Sequence, residues 1–289
     1  MPEIRKIKRK DLDLKKYSNA INKALNYRIY AEDWYLDVLT EEKWECWVYD
    51  DYEVVMPIPL QYKLGFKFVL QPIYCQQLGV FYKEEISDEL FREFEKKLHK
   101  YRVRSYCFNE ENTERYNPKG EKRVNYILDL NRPYEEIKKN FSKSTKWNLK
   151  QFEKSEASLQ KIHFTIQELI EFKKRISPLK FSEAKLQSLL KLLKSQEKLT
   201  LLSLNLNDEM VAGGVFIQSK NRVIYINSVA SQAGKKCGAP TGILNFIIET
   251  QAGKELILDF EGSNLPQLNY FFKGFGGIPR EYTRFSNFG

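Results

Sequence analysis

Apolar positions in this chain repeat with a period near four in some stretches and near two in others, and the switches between them lay out the elements. Between Asp13 and Leu25, Tyr17, Ile21 and Leu25 stand four apart among charged residues, the spacing of one helix face. Ala31–Leu39 (AEDWYLDVL) predicts a second, shorter helix. From Trp44 the pattern changes. Trp44–Tyr49, Glu53–Tyr62 and Phe66–Ile73 are rich in aromatic and β-branched residues, with turns at Asp50-Asp51 and Leu64-Gly65, which predicts an antiparallel meander. Pro57, Pro59 and Pro72 cannot donate to a ladder and point to edges or bulges. Ile86–Lys100 carries Ile86, Leu90, Phe91, Phe94 and Leu98 on one face, with Ser87 as its N-cap. A strand over Val103–Phe108, a polar loop (NEENTERYNPKGEK) and a strand over Val124–Leu130 follow.

Asn131-Arg132-Pro133 reads as a fresh start, with Asn131 as N-cap and Pro133 as first helical residue. A densely basic helix runs from Tyr134 toward Lys154, then helices over Ile166–Ile176 and Ser182–Leu193. Strands return over Leu199–Leu206, Met210–Gln218 and Arg222–Val229, separated by Asn207-Asp208 and Ser219-Lys220-Asn221. A small-residue loop, a helix (Thr241–Gln251), a short apolar strand (Leu256–Phe260), a helix (Leu265–Phe272) and a last strand near Tyr282 complete the pattern. Both halves share one order: helices, meander, helix, strand, end strand. That order predicts a duplicated α/β (α+β) architecture, with domains over 1–131 and 132–289, each a mixed, mostly antiparallel sheet flanked by helices. Tyr282–Phe288 has two possible places, in its own sheet or back in that of the first domain.

Composition narrows the picture. A chain of 289 residues that is 42% hydrophobic and 14% aromatic fills real cores and is not disordered. Lys and Arg number 47 against 38 Asp and Glu, a net charge of +9 that suits anionic partners. No apolar run reaches the roughly 18 residues of a membrane span, and the opening MPEIRKIKRKDLDLKKYS has no apolar stretch of the signal-peptide kind. Cys46, Cys75, Cys107 and Cys237 are scattered without pairing or metal-ligand spacing, which predicts reduced thiols and a cytoplasmic protein. With only His99 and His163, neither a histidine-rich metal site nor a histidine triad is expected.

The second half adds a sharper signal. Its layout resembles the GNAT acyltransferase fold. The tail LILDFEGSNLPQLNYFFKGFGGIPREY resembles the closing motif of the Fem-type branch, in which two GNAT-like domains lie in tandem; YILDLNRPYEEIKKNFSKSTKWNLKQFEKS resembles the opening of that branch's second domain. The resemblance implies transfer of an acyl or aminoacyl group to a primary amine. GNAT enzymes take the group from acyl-CoA; Fem enzymes take it from aminoacyl-tRNA and place it on a peptidoglycan precursor. The chain departs from the Fem pattern in having no inserted coiled-coil arm. It departs from the GNAT phosphate loop, Q/R-x-x-G-x-G/A, because Ser231–Gly242 reads SQAGKKCGAPTG. The expectation is acetyl-CoA or another acyl-CoA as donor and a small-molecule or peptide amine as acceptor. Aminoacyl-tRNA-dependent transfer is the alternative, and a non-catalytic binding protein on the same fold is a third reading.

Specific residues follow. Gly238, Ala239, Thr241 and Gly242 open a helix, where backbone N–H groups and the helix dipole suit a diphosphate; the bland reading is a flexible loop capped by Thr241. Asn227 and Ser228, on the strand before it, would offer backbone groups to a pantetheine or its equivalent. By the resemblance, Phe272 and Lys273 lie at the transfer centre, Lys273 stabilising an oxyanion; otherwise Lys273 is a helix-end cation followed by Gly274. Strand alternation would put Asp259 and Glu261 on one face, either of them a base toward an ammonium; the structural alternative is an ion pair or a helix cap. Lys146 belongs to a stripe with Lys138, Lys139, Lys143, Lys150 and Lys154, interrupted by Trp147, that suits phosphates or reads as a solvated helix face. In the first half, Gln71, Gln76 and Gln77 with Trp34 would line an acceptor cleft, or belong to the core. Cys75 and Cys237 have no histidine near in sequence, and cysteine catalysis is not expected.

Overall fold

A computed structural model describes residues 3–155, 158–161, 165–176, 183–262 and 265–288. His163, the helix start at Ser182 and Ser263 of the closing motif lie outside them. The chain forms two compact units, Met1–Val124 with Glu281–Gly289, and Asn125–Arg280. The division falls inside a strand, before the Asn131-Arg132-Pro133 turn.

In the first unit, β1 (Arg5–Lys8) precedes α1 (Leu14–Lys23) and α2 (Asp33–Thr40). The meander follows as β2 (Trp44–Tyr49), β3 (Val54–Lys63) and β4 (Phe66–Leu70), then the short β5 (Phe81–Tyr82), α3 (Asp88–His99), β6 (Val103–Phe108) and α4 (Glu110–Tyr116). Asp13 caps α1 by accepting from Lys16 N, and Ser87 caps α3 by accepting from Leu90 N. β2 pairs with β1 and β3, and β4 lies parallel to β6. Thr283–Phe285 pair antiparallel with β6, so the end of the chain completes this unit's sheet. Tyr17, Tyr35, Trp47, Phe91, Phe94, Tyr106 and Phe108 fill its core.

The prolines have a clear place. On the side away from β2, β3 pairs with β5 over Val54–Val55 and with β4 from Leu60 onward. Pro57 falls between those two pairings, its carbonyl accepting from Tyr106 Oη, so its missing N–H breaks no ladder. Three expectations change here. Basic Arg5–Lys8, for which the sequence pattern predicts no element, is a strand. Leu25 lies beyond α1 and is exposed. The polar loop after β6 holds a helix, α4, capped by Asn109, whose side chain accepts from Asn112 N.

The second unit opens with the end of β7 (Glu121–Asp129), then α5 (Tyr134–Lys139), α6 (Lys143–Lys154), β8 (Ser158–Lys161), α7 (Ile166–Ile176) and α8 (Glu183–Ser195). The second meander is β9 (Leu199–Leu206), β10 (Glu209–Gln218) and β11 (Arg222–Ala230). α9 (Gln232–Lys236), α10 (Ala239–Gln251), β12 (Ile257–Asp259), α11 (Pro266–Gly274) and β13 (Ile278–Phe285) follow. Within this unit the strand order is β7-β12-β11-β10-β9-β8, antiparallel except for the parallel β11–β12 pair. The helix predicted toward Lys154 is two helices, because Ser142 caps a new one by accepting from Thr145 N; Asn131 caps neither. The small-residue loop contains α9, and Gly238 rather than Thr241 stands at the N-cap of α10. Each unit is thus a mixed, mostly antiparallel sheet with helices packed against it.

Candidate functional site

The sheet of the second unit opens at one point. β11 runs from Arg222 to Ala230, yet β12 accompanies it only over Arg222–Ile224, opposite Ile257–Asp259. On its other side the register with β10 skips Ile226: Val215 faces Asn227 and Phe216 faces Tyr225. A bulge placed where a neighbouring strand leaves bends β11 and re-aims its side chains. Asn227 and Ser228, both predicted site residues, lie on this diverging half, Ser228 exposed. Lys173 of α7 donates to Asn227 Oδ1, and burial lowers the Lys173 pKa below its ordinary 10.5. Lys173 was not singled out from the sequence, although it stands four residues after Leu169 and three after Ile170, on the buried stripe of α7.

At the exit of β12 the two carboxylates part company. Asp259 is buried; its Oδ2 accepts from Arg222 Nη1 at 2.7 Å and its Oδ1 from Asn125 Nδ2 at 2.9 Å. The Glu261 amide also donates to Asp259 Oδ1, and Gly262 N donates to Asn125 Oδ1 at 2.7 Å. This network holds the turn out of the strand, so Asp259 is a structural anchor and is withdrawn as a base. The expected alternation fails because the strand ends at Asp259 and Glu261 sits in the left-handed region, with φ +48°. Glu261 remains half-buried beside the opening. Phe272 is buried and stacked on Phe260 with ring centres 4.9 Å apart. Lys273 is exposed, its Nζ 5.8 Å from the Tyr126 ring centre.

The start of α10 does not form the expected phosphate cradle. Gly238, Ala239, Thr241 and Gly242 are buried. A Cβ on Gly238 would lie 2.3 Å from the Asn148 carbonyl oxygen, and one on Gly242 2.6 Å from the Phe152 ring. The space that glycines leave for a diphosphate is therefore filled by α6, and these residues do not fit the diphosphate of coenzyme A. They are close-packing positions for two helices. The outer side of α6 is different. Lys143, Trp147, Lys150 and Lys154 follow at steps of four, three and four, all exposed, with Lys146 beside them and donating to the Lys139 carbonyl. Lys235 and Lys236 on α9 are exposed as well.

The amides of the first unit have internal duties. Gln71 donates to the Cys75 carbonyl at 2.7 Å and accepts from Cys107 N at 3.1 Å. Gln77 is fully buried, accepting from Glu110 N and donating to Glu110 Oε1 and Gln76 Oε1. Both are corrected from substrate binding to scaffold. Gln76 and Trp34 are half-buried. Cys46, Cys75 and Cys107 are buried, and burial pushes the Cys107 thiol up to about 12, far from a reactive thiolate. A cleft of 390 Å³ lies between β9, β10 and the C-terminal half of α10, lined by Leu201, Phe216, Gln218, Val223, Phe246 and Ile247 among others; no predicted site residue lines it. Among the described residues no group of three His, Cys, Asp or Glu could hold a metal, and no helix is long and apolar enough to cross a membrane.

No protein-family model matches the sequence, and no curated protein matches it. Solved structures do. FemX superposes with a TM-score of 0.67 at 9% identity, over 98% of this chain and 98% of that one. A conserved protein of unknown function from Bacteroides thetaiotaomicron gives 0.57 at 13% identity, over 99% and 100% of the two chains. The L-PGS structure from Bacillus licheniformis gives 0.53 at 13%, over 95% and 92%. Agreement at such low identity over nearly whole chains is agreement of backbone architecture. The chain has the Fem-type fold, two GNAT-like domains in tandem.

Proposed function

We propose that this protein transfers an aminoacyl group from a charged tRNA to a primary amine, at the opening between β11 and β12. The observation that carries the transfer reading is that opening, where the bulge at Ile226 coincides with the departure of β12. The choice of donor follows from α10. An acyl-CoA needs its diphosphate held, and the residues expected to hold it are packed under Asn148 and Phe152. A tRNA needs no such cradle, and the basic face of α6 with Trp147 offers charge for phosphates and a ring for stacking.

In this reading the acceptor amine attacks the ester carbonyl of the aminoacyl-tRNA. The new C–N bond forms as the ester C–O bond breaks, and the ribose oxygen leaves as a hydroxyl by taking the second proton that the attacking nitrogen sheds. Glu261 takes the proton that the ammonium must lose, and Lys273 stabilises the oxyanion of the tetrahedral intermediate. Lys173 acts through Asn227 as a positioning residue.

The test is transfer of a radiolabelled aminoacyl group from a mixed pool of charged tRNAs to small amines and amine-bearing peptides. Lys273→Ala and Glu261→Gln each lower the rate by about a hundredfold or more with unchanged thermal unfolding. Absence of transfer from every charged tRNA overturns the donor. Stabilisation by millimolar acetyl-CoA, about 2.7 kcal/mol at a hundred times its Kd, restores acyl-CoA in its place.

A further inference from the structure

The tip of the β3–β4 hairpin is built against the ordinary chemistry of a tight turn. Beyond Pro59 β3 leaves β2 and pairs with β4 alone, from Leu60 opposite Val69 to Lys63 opposite Phe66. Leu64 and Gly65 make the two-residue connection, both with positive φ, +51° and +76°. Asn-Gly is the favoured pair for such a turn, because a leucine pays a steric penalty in the left-handed region that asparagine and glycine largely escape. Leu64 is nevertheless 86% exposed, with Tyr62 58% and Phe66 52% exposed beside it. A strained apolar apex in open solvent has no folding rationale and points to a use.

The surroundings are cationic. Tyr62 stands opposite Lys67 and Lys63 opposite Phe66, so each face of the tip bears one aromatic ring and one lysine. Arg102 lies 4.5 Å from the Phe66 ring centre and Arg104 4.5 Å from that of Phe68. No acidic residue occurs between Gln61 and Lys67. Glu45, bound to Lys67 at 2.6 Å, is buried and also accepts from Tyr101 Oη.

We propose that this hairpin docks the protein onto an anionic lipid surface. Leu64, Tyr62 and Phe66 enter the boundary between headgroups and acyl chains, while the exposed Lys63 and Arg102 meet lipid phosphates. A convex apex of leucine and aromatics within a collar of cations matches that boundary, where rings settle at headgroup depth and each cation gains from the surface potential. The docking is peripheral and stands apart from the acyl-transfer reading.

Vesicle co-sedimentation of the full chain tests it, with phosphatidylcholine vesicles either pure or containing phosphatidylglycerol. Binding to the anionic vesicles alone is expected, weakened at high salt. Leu64→Asn lowers that binding about tenfold or more while the melting temperature holds or rises, since the turn loses its strain. Lys63→Gln lowers it about fivefold. The proposal is overturned if the unaltered protein ignores anionic vesicles, if it binds neutral ones equally, or if Leu64→Asn binds as before. A dimer that Leu64→Asn dissociates, without any vesicle binding, overturns it in favour of a second copy of the chain.

Discussion

At the scale of single residues, chemistry depends on what surrounds a side chain more than on what it is. Gly242 has the composition of a phosphate-loop glycine and the surroundings of a helix-packing glycine, with the Phe152 ring where a ligand would be. Gly242→Ala is therefore expected to destabilise the protein by about 1–3 kcal/mol through overpacking. Thermal unfolding checks this: an unchanged melting temperature would mean that the space beside Gly242 is open. Asp259 was legible as a candidate carboxylate, but its partners Asn125 and Arg222 are distant in sequence, and no local pattern announces them. Lys173 shows the reverse case. A lysine on an apolar helix stripe is a visible signal, and its meaning emerges only when β11 brings Asn227 to it.

At the scale of elements, periodicity located most of the strands and helices. Trp44–Tyr49, Val103–Phe108, Ile166–Ile176 and Leu199–Leu206 begin and end where the pattern puts them. α4 escaped because three of its four buried positions, Glu110, Asn112 and Thr113, are polar. Glu110 and Asn112 replace a greasy stripe with hydrogen bonds, Asn112 to Val80 and Glu110 to Arg28 at 3.1 Å, both ion-pair partners being buried. Hydrophobic periodicity cannot see a helix held by charge. Arg28→Met leaves a buried carboxylate without its cation and is expected to cost about 3–5 kcal/mol. Denaturant unfolding measures it; a loss under about 1 kcal/mol would mean that Glu110 is solvated. β1 escaped for a related reason: three of its four residues are basic, and only pairing with β2 makes them a strand.

At the scale of the whole molecule, the first unit is discontinuous in sequence. The end of the chain adds a strand to β6, its Phe285 ring stacking on His99 at 4.3 Å and Asn287 accepting from Val103 N. Removing residues 281–289 exposes that edge, so the truncated protein is expected to melt earlier and to aggregate, since an open strand edge invites pairing with other chains. Melting and light scattering against the full chain decide it; equal behaviour would make the strand an ornament. Nothing in the letters of Tyr282–Phe288 distinguishes its two possible sheets, because alternation specifies a strand and not its partner. The sequence by itself determined what is local or repeated: the element order, the two-fold duplication and the Fem-type likeness, all carried by short-range periodicity and motifs. Tertiary structure alone decided which glycines face a helix, which carboxylate is tied down, where β11 and β12 separate and which unit receives the last strand. Those depend on residues meeting from distant parts of the chain, as Asn125 meets Asp259, and pair contacts at such separations leave no periodic trace.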